Sequence, residues 1–128
     1  MTISQPQPKK TLVFIDSGVS NYQSLVDGLG DDTPWVLLDA DQDGVLQMQA
    51  ALAAYSAVDG DKLDSIHVIS HGSMGTLVLG TAVVHQDNLG RYASEWQDMG
   101  QALTATGDIL LYGCNVGQGI RIHRQVVP

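Results

Sequence analysis

Four side chains in this chain of 128 residues combine reactive chemistry with a suggestive position: Asp16, Asp39, His71 and Cys114 each follow a short apolar run. A thiol near its free pKa of about 8.5 is a poor nucleophile at neutral pH until an imidazole or a positive dipole favours the thiolate. Cys114 lies in the break Gly113-Cys114-Asn115-Val116-Gly117, the kind of place where a cysteine is exposed and lies near backbone N–H groups that stabilise an oxyanion. Gly72, directly after His71, lets the backbone approach a substrate carbonyl closely. A nucleophile, an acid/base and close backbone donors are the parts that acyl transfer needs. The plainer reading makes Cys114 a small buried hydrophobe and His71 a turn residue.

Other constellations point less far. Asp39-Ala40-Asp41-Gln42-Asp43-Gly44 imitates the opening of a calcium-binding EF-hand loop, but Ala50 stands where the twelfth position needs a bidentate Glu. A strand exit followed by Asp43 as a helix cap explains the run better. His67 and His71 invite a zinc reading, yet four strand steps of ~3.3 Å place them about 13 Å apart. Ser70 is no hydrolase nucleophile elbow, because Gly-x-Ser-x-Gly is absent. No cofactor or metal is expected.

The elements that must position these residues read as an α/β domain with a mainly parallel sheet. Thr11 to Ile15 is an unbroken apolar run suited to a strand buried on both faces. A helix follows from Ser20 or Asn21, carrying Tyr22, Leu25, Val26 and Leu29 inward until Gly30 stops it. Trp35 to Leu38 is the second strand. Gly44 to Tyr55 is the strongest helical segment, with Val45, Met48, Leu52 and Tyr55 on one stripe. Ile66 to Ser70 is the third strand and ends in His71. Thr76 to Leu79 and Ala82 to Val84 form a small hairpin beside the main sheet. A helix over Asn88 to Leu103 then leads to a fourth strand at Ile109 to Tyr112. On this reading all four reactive residues sit at carboxyl ends of strands, where open parallel sheets bind ligands.

Composition bounds the function. Six basic against 14 acidic residues leave a net charge of −8, which argues against a nucleic-acid partner and against docking on anionic membranes. No run approaches the ~20 apolar residues of a membrane helix, and no signal peptide is read at the start. A single cysteine excludes an internal disulfide. Residues 1–10 read as a flexible lead-in, 11–119 as the domain, and 120–128 as an atypical tail that holds Arg121 and Arg124.

An apolar strand ending in Ser-His-Gly, followed some forty residues later by one ending in Gly-Cys, resembles the caspase-like cysteine peptidases. More closely, LVFIDSGVSNYQSLVDGL, VLLDADQDGVLQM, IHVISHGSMGTLVLG and DILLYGCNVGQG are together similar to the domain of unknown function 4347 family. The resemblance implies a caspase-like three-layer sandwich with a mainly parallel sheet and a small hairpin, truncated at its C-terminus because IRIHRQVVP replaces further elements. It implies His71 as acid/base, Cys114 as nucleophile, and the backbone N–H groups of Gly72 and Cys114 as the oxyanion hole. It also implies that Asp16 lines the pocket for the residue before the cut and favours Arg or Lys there, although Asp-Ser-Gly is equally an ordinary turn. Such modules occur in large secreted or cell-surface bacterial proteins. Two functions therefore stand open: a cysteine endopeptidase acting on a polypeptide or on its own parent protein, and a non-catalytic interaction module of an adhesin-type protein. The sequence leaves the oligomeric state undecided.

Overall fold

The computed structural model describes residues 10–30, 33–58, 62–73, 76–113 and 120–123. Strand β1 (Thr11–Asp16) is buried along almost its whole length, as its unbroken apolar run requires, and so takes a central position. Strands β2 (Trp35–Leu38) and β3 (Leu63–Ser73) flank it, both parallel to it. Beyond β3 lies β6 (Leu103–Gly113), again parallel, with Ile66 opposite Ile109 and Ser70 opposite Gly113.

The expectation of a mainly parallel, caspase-like sandwich is corrected here. The sheet has seven strands and is mixed. Strand β3 does not end before His71 but runs through it to Ser73, pairing antiparallel with β4 (Thr76–Leu79). Strand β4 in turn pairs antiparallel with β5 (Ala82–His85), and β7 (Ile120–His123) pairs antiparallel with β6. The hairpin is thus joined to the sheet through β3, because a strand that outlasts its parallel neighbours leaves an open backbone edge for the next strand to satisfy.

Two unequal layers cover the sheet. On one face Leu12, Phe14, Ile66, Val68, Ile109 and Leu111 pack with the apolar stripes of α2 (Gly44–Val58) and α3 (Ala93–Gly100) in one core. Phe14, Val45, Met48, Ile66 and Trp96 are 0% exposed there. The expected stripe of Val45, Met48, Leu52 and Tyr55 does face this core. Asp43 caps α2, its Oδ1 accepting from the N–H groups of Val45 (2.9 Å) and Leu46 (3.1 Å). The helix expected over Asn88 to Leu103 is shorter: a 3-10 segment at Gln86–Tyr92 precedes α3, and Leu103 already opens β6.

The opposite face carries α1 (Tyr22–Gly28) over a small core of Val13, Ile15 and Val19. This helix buries none of its residues fully, and Leu25, expected inward, is exposed. It enters through Asn21 in the left-handed conformation (φ 58°), with no side-chain cap bond.

Candidate functional site

The site is organised by a buried acid. Asp16 is the last residue of β1, and its turn is held by Val19 N–H donating to its carbonyl and by Ser17 N–H donating to Leu38 O, each at 3.1 Å. The Asp16 side chain is 1% exposed, a position that demands partners for both oxygens. Oδ2 accepts from the Gly18 N–H at 2.9 Å and lies 2.9 Å from His71 Nε2. Oδ1 accepts from the Gly80 N–H at 2.6 Å. Three donors from three separate segments therefore converge on one carboxylate.

His71 occupies the residue where β3 changes partners. The β3 pairing with β1 runs to Ile69 and that with β6 to Ser70, while pairing with β4 begins at His71. Ser70, fully buried, donates its hydroxyl to Val78 O and lies 3.1 Å from His71 O, tying the hairpin to the switch. The imidazole lies against Gly18 so closely that a Cβ there would run into the ring and come within 2.9 Å of Asp16 Oδ2. Gly18 is thus required by close approach. Gly80 is required by its backbone: its φ is +60°, and an added Cβ would strike Gln42 O. Thr81 N–H donates to the same Gln42 carbonyl at 2.9 Å, so the β4–β5 turn is pinned to the segment before α2 while it supplies a donor to Asp16.

Of the residues singled out from the sequence, the structure brings Asp16 and His71 together. Gly72 follows in the β3–β4 ladder, opposite Leu77. Cys114 lies outside the described residues; it follows Gly113, which pairs with Ser70, the residue before His71. Asp39 does not join the group. Its N–H donates to Gln47 Oε1 at 2.7 Å and its Oδ1 accepts from Asp41 N–H at 2.9 Å, closing the loop onto α2. Asp43, besides capping, accepts from Tyr92 Oη at 3.1 Å; burial, and after it this bond, raises the Tyr92 pKa above its ordinary value.

His67 has different company from His71. It stacks on Tyr112 with ring centroids 5.7 Å apart and planes 9° from parallel, and burial lowers its pKa below the ordinary 6.5. Gly18 and Gly80 are the site residues that sequence reading assigned no role beyond turns. For Gly18 the signal was present in Asp16-Ser17-Gly18, where an acid two residues earlier forms an Asx-type turn. For Gly80, 64 residues from Asp16, no local signal exists.

Among the described residues no helix is long and apolar enough to cross a membrane. No curated protein and no solved structure matches the chain. A family model does match, over residues 12–124, under the description Domain of unknown function (DUF4347). That match runs from the second residue of β1 to just past β7 and includes Asp16, Gly18, His71 and Gly80, so the chain belongs to the DUF4347 family.

Proposed function

We propose that this domain performs cysteine-dependent acyl transfer of the peptidase type, with Cys114 as nucleophile and His71 as acid/base. One observation carries the reading: His71 Nε2 is held 2.9 Å from a carboxylate that is itself buried and fixed by two backbone N–H groups. A carboxylate acceptor on Nε2 puts the imidazole proton there and leaves Nδ1 as the basic nitrogen. An imidazole so oriented is the arrangement that activates a weak nucleophile. Asp16 then acts as a positioning residue through His71, since both its oxygens already accept from within the chain.

The reaction follows in balanced steps. The Cys114 thiol proton passes to His71 Nδ1 as sulfur attacks the carbonyl carbon, and the oxyanion takes backbone N–H donors from Gly72 and Cys114. The C–N bond breaks as His71 returns the proton to the leaving amine. Water, deprotonated by His71, then attacks the thioester carbonyl, the C–S bond breaks to release the acid, and His71 returns that proton to the Cys114 sulfur.

Alkylation of Cys114 by iodoacetamide at pH 7 tests the reading. The expected rate is roughly tenfold above that of free cysteine, because a thiol with an ordinary pKa is only a few per cent ionised at that pH. His71→Ala returns the rate to the free value. A wild-type rate equal to free cysteine, or one indifferent to His71→Ala, removes the dyad and favours the non-catalytic interaction module.

A further inference from the structure

The geometry points to an apolar subsite beside His71, formed by Ile69, Tyr112 and the His67 ring, that takes a neutral apolar or aromatic side chain of a peptide. The inference rests on the acyl-transfer reading for its placement. It concerns which peptide is held there.

The strand registers place these residues. Ile69 lies two residues before His71 on β3, so the two share a face and stand one pleat apart, roughly 6.6 Å along the strand. Tyr112 is opposite Ile69 on β6 and lies two residues before Cys114 in the chain. His67 completes the shelf by stacking on Tyr112. This is the α1 face of the sheet: Ile69 packs at the margin of the Val13, Ile15 and Val19 core, and Gly18, which the imidazole touches, directly precedes Val19. The helix covers Ile15 but leaves Tyr112 41% exposed and Ile69 half-buried.

Charge and saturation select the occupant. A basic residue beside the cut would need a carboxylate, and the acid placed for that role, Asp16, is 1% exposed with both oxygens occupied. An acidic residue would meet a chain of net charge −8. What remains on offer among the described residues is the apolar and aromatic surface of Ile69, Tyr112 and His67, on the same face as His71. Burying a Leu or Phe side chain on such a surface favours binding by about tenfold or more over leaving it in water.

The test uses short fluorescent peptides of one backbone that differ only in carrying Phe, Leu, Arg or Asp at the central position. Affinity for the full chain is read by anisotropy. The expected result is that the Phe and Leu peptides bind about tenfold tighter than the Arg and Asp peptides. Tyr112→Ala abolishes that preference, Tyr112→Phe retains it, and Val83→Ser, which alters another exposed apolar residue on β5, leaves it unchanged. Equal affinities, a preference for Arg or Asp, absence of measurable binding, or a preference that survives Tyr112→Ala overturns the subsite. Failure of the acyl-transfer reading shows separately, as a Cys114 alkylation rate indifferent to His71→Ala.

Discussion

The face of the sheet under α2 and α3 and the face under α1 are made from the same strands, alternating residue by residue, yet they are packed to different degrees. Under α2 and α3, Phe14, Ile66, Val68 and Leu111 are 0% exposed. Under α1, only the residues directly beneath the helix are dry, and Trp35, Leu37 and Tyr112 on the flanking strands are 39–41% exposed. A single helix is about 10 Å wide with its side chains and covers roughly two strands at their 4.8 Å spacing, and α1 is only seven residues long, whereas the other face is covered by two helices, α2 and α3. The closed face holds the molecule together. The open face is the side on which His71 meets Gly18 and the Asp16 turn, so chemistry there rests on a scaffold stabilised elsewhere.

If that division holds, core substitutions should separate the faces most strongly. Phe14→Ala is expected to cost about 3–5 kcal/mol in urea unfolding, from lost burial plus the cavity left behind. Leu37→Ser on the open face should cost about 1 kcal/mol or less. Comparable losses from the two would break the comparison.

Asp16→Ala comes next in size. It strands the Gly18 and Gly80 N–H groups in a buried site, an expected cost of about 1–3 kcal/mol. It should also slow Cys114 alkylation, because His71 loses the group that fixes its tautomer. Asp16→Asn sharpens the point: near-normal size with one oxygen replaced by a donor should still lower the alkylation rate several-fold. A fully retained rate in Asp16→Asn would leave Asp16 a purely structural acid.

Gly18→Ala probes the close packing of the turn against the imidazole and the Asp16 carboxylate. The added methyl meets the His71 ring and crowds Asp16 Oδ2, so the alkylation rate is expected to fall and stability to drop by about 1–2 kcal/mol. An unchanged rate would show that the ring shifts without consequence.

The smallest effect is a pH dependence from His67. Its folded pKa lies below 6.5, so below that pH the unfolded chain binds the proton more readily than the native one. Stability therefore falls as pH drops through 6.5 toward the folded pKa, and is unaffected by this group well above 6.5. Unfolding of His67→Phe between pH 5 and 8 should show a shallower acid-side loss than wild type. An identical slope would mean that the stacked ring contributes nothing to the titration.

Much of the scaffold was legible because each element is locally consistent. The run Thr11 to Ile15 had to be an interior strand, and the α2 stripe and its Asp43 cap follow from spacing and from the acceptor chemistry of Asp. The candidate acid was legible as a strand-end residue; the imidazole was legible as a reactive side chain but not as an interior residue of β3. The mixed character of the sheet was not legible, because the run ending at Ser70 carries no mark telling whether the next residues form a loop or extend into a hairpin. His71, Gly72 and Ser73 took the second course when β4 supplied backbone partners. Likewise Ile120–His123 has no amphipathic period, and its strand exists through the edge of β6.

The sequence by itself determined that this is an acidic chain of strand-type and helix-type runs, carrying Asp16, His71 and Cys114 just after apolar runs and bearing the marks of its family. Local periodicity and charge suffice for that, since they depend on neighbours a few residues away. Tertiary structure alone decided that Asp16 faces inward to His71 and not outward to a ligand. Its partners come from residues 2, 55 and 64 positions away, at Gly18, His71 and Gly80, and only the packing of β1, β3 and the β4–β5 turn brings those donors to one buried carboxylate. Desolvation then makes the arrangement obligatory, because a carboxylate that is 1% exposed must have every partner it can reach.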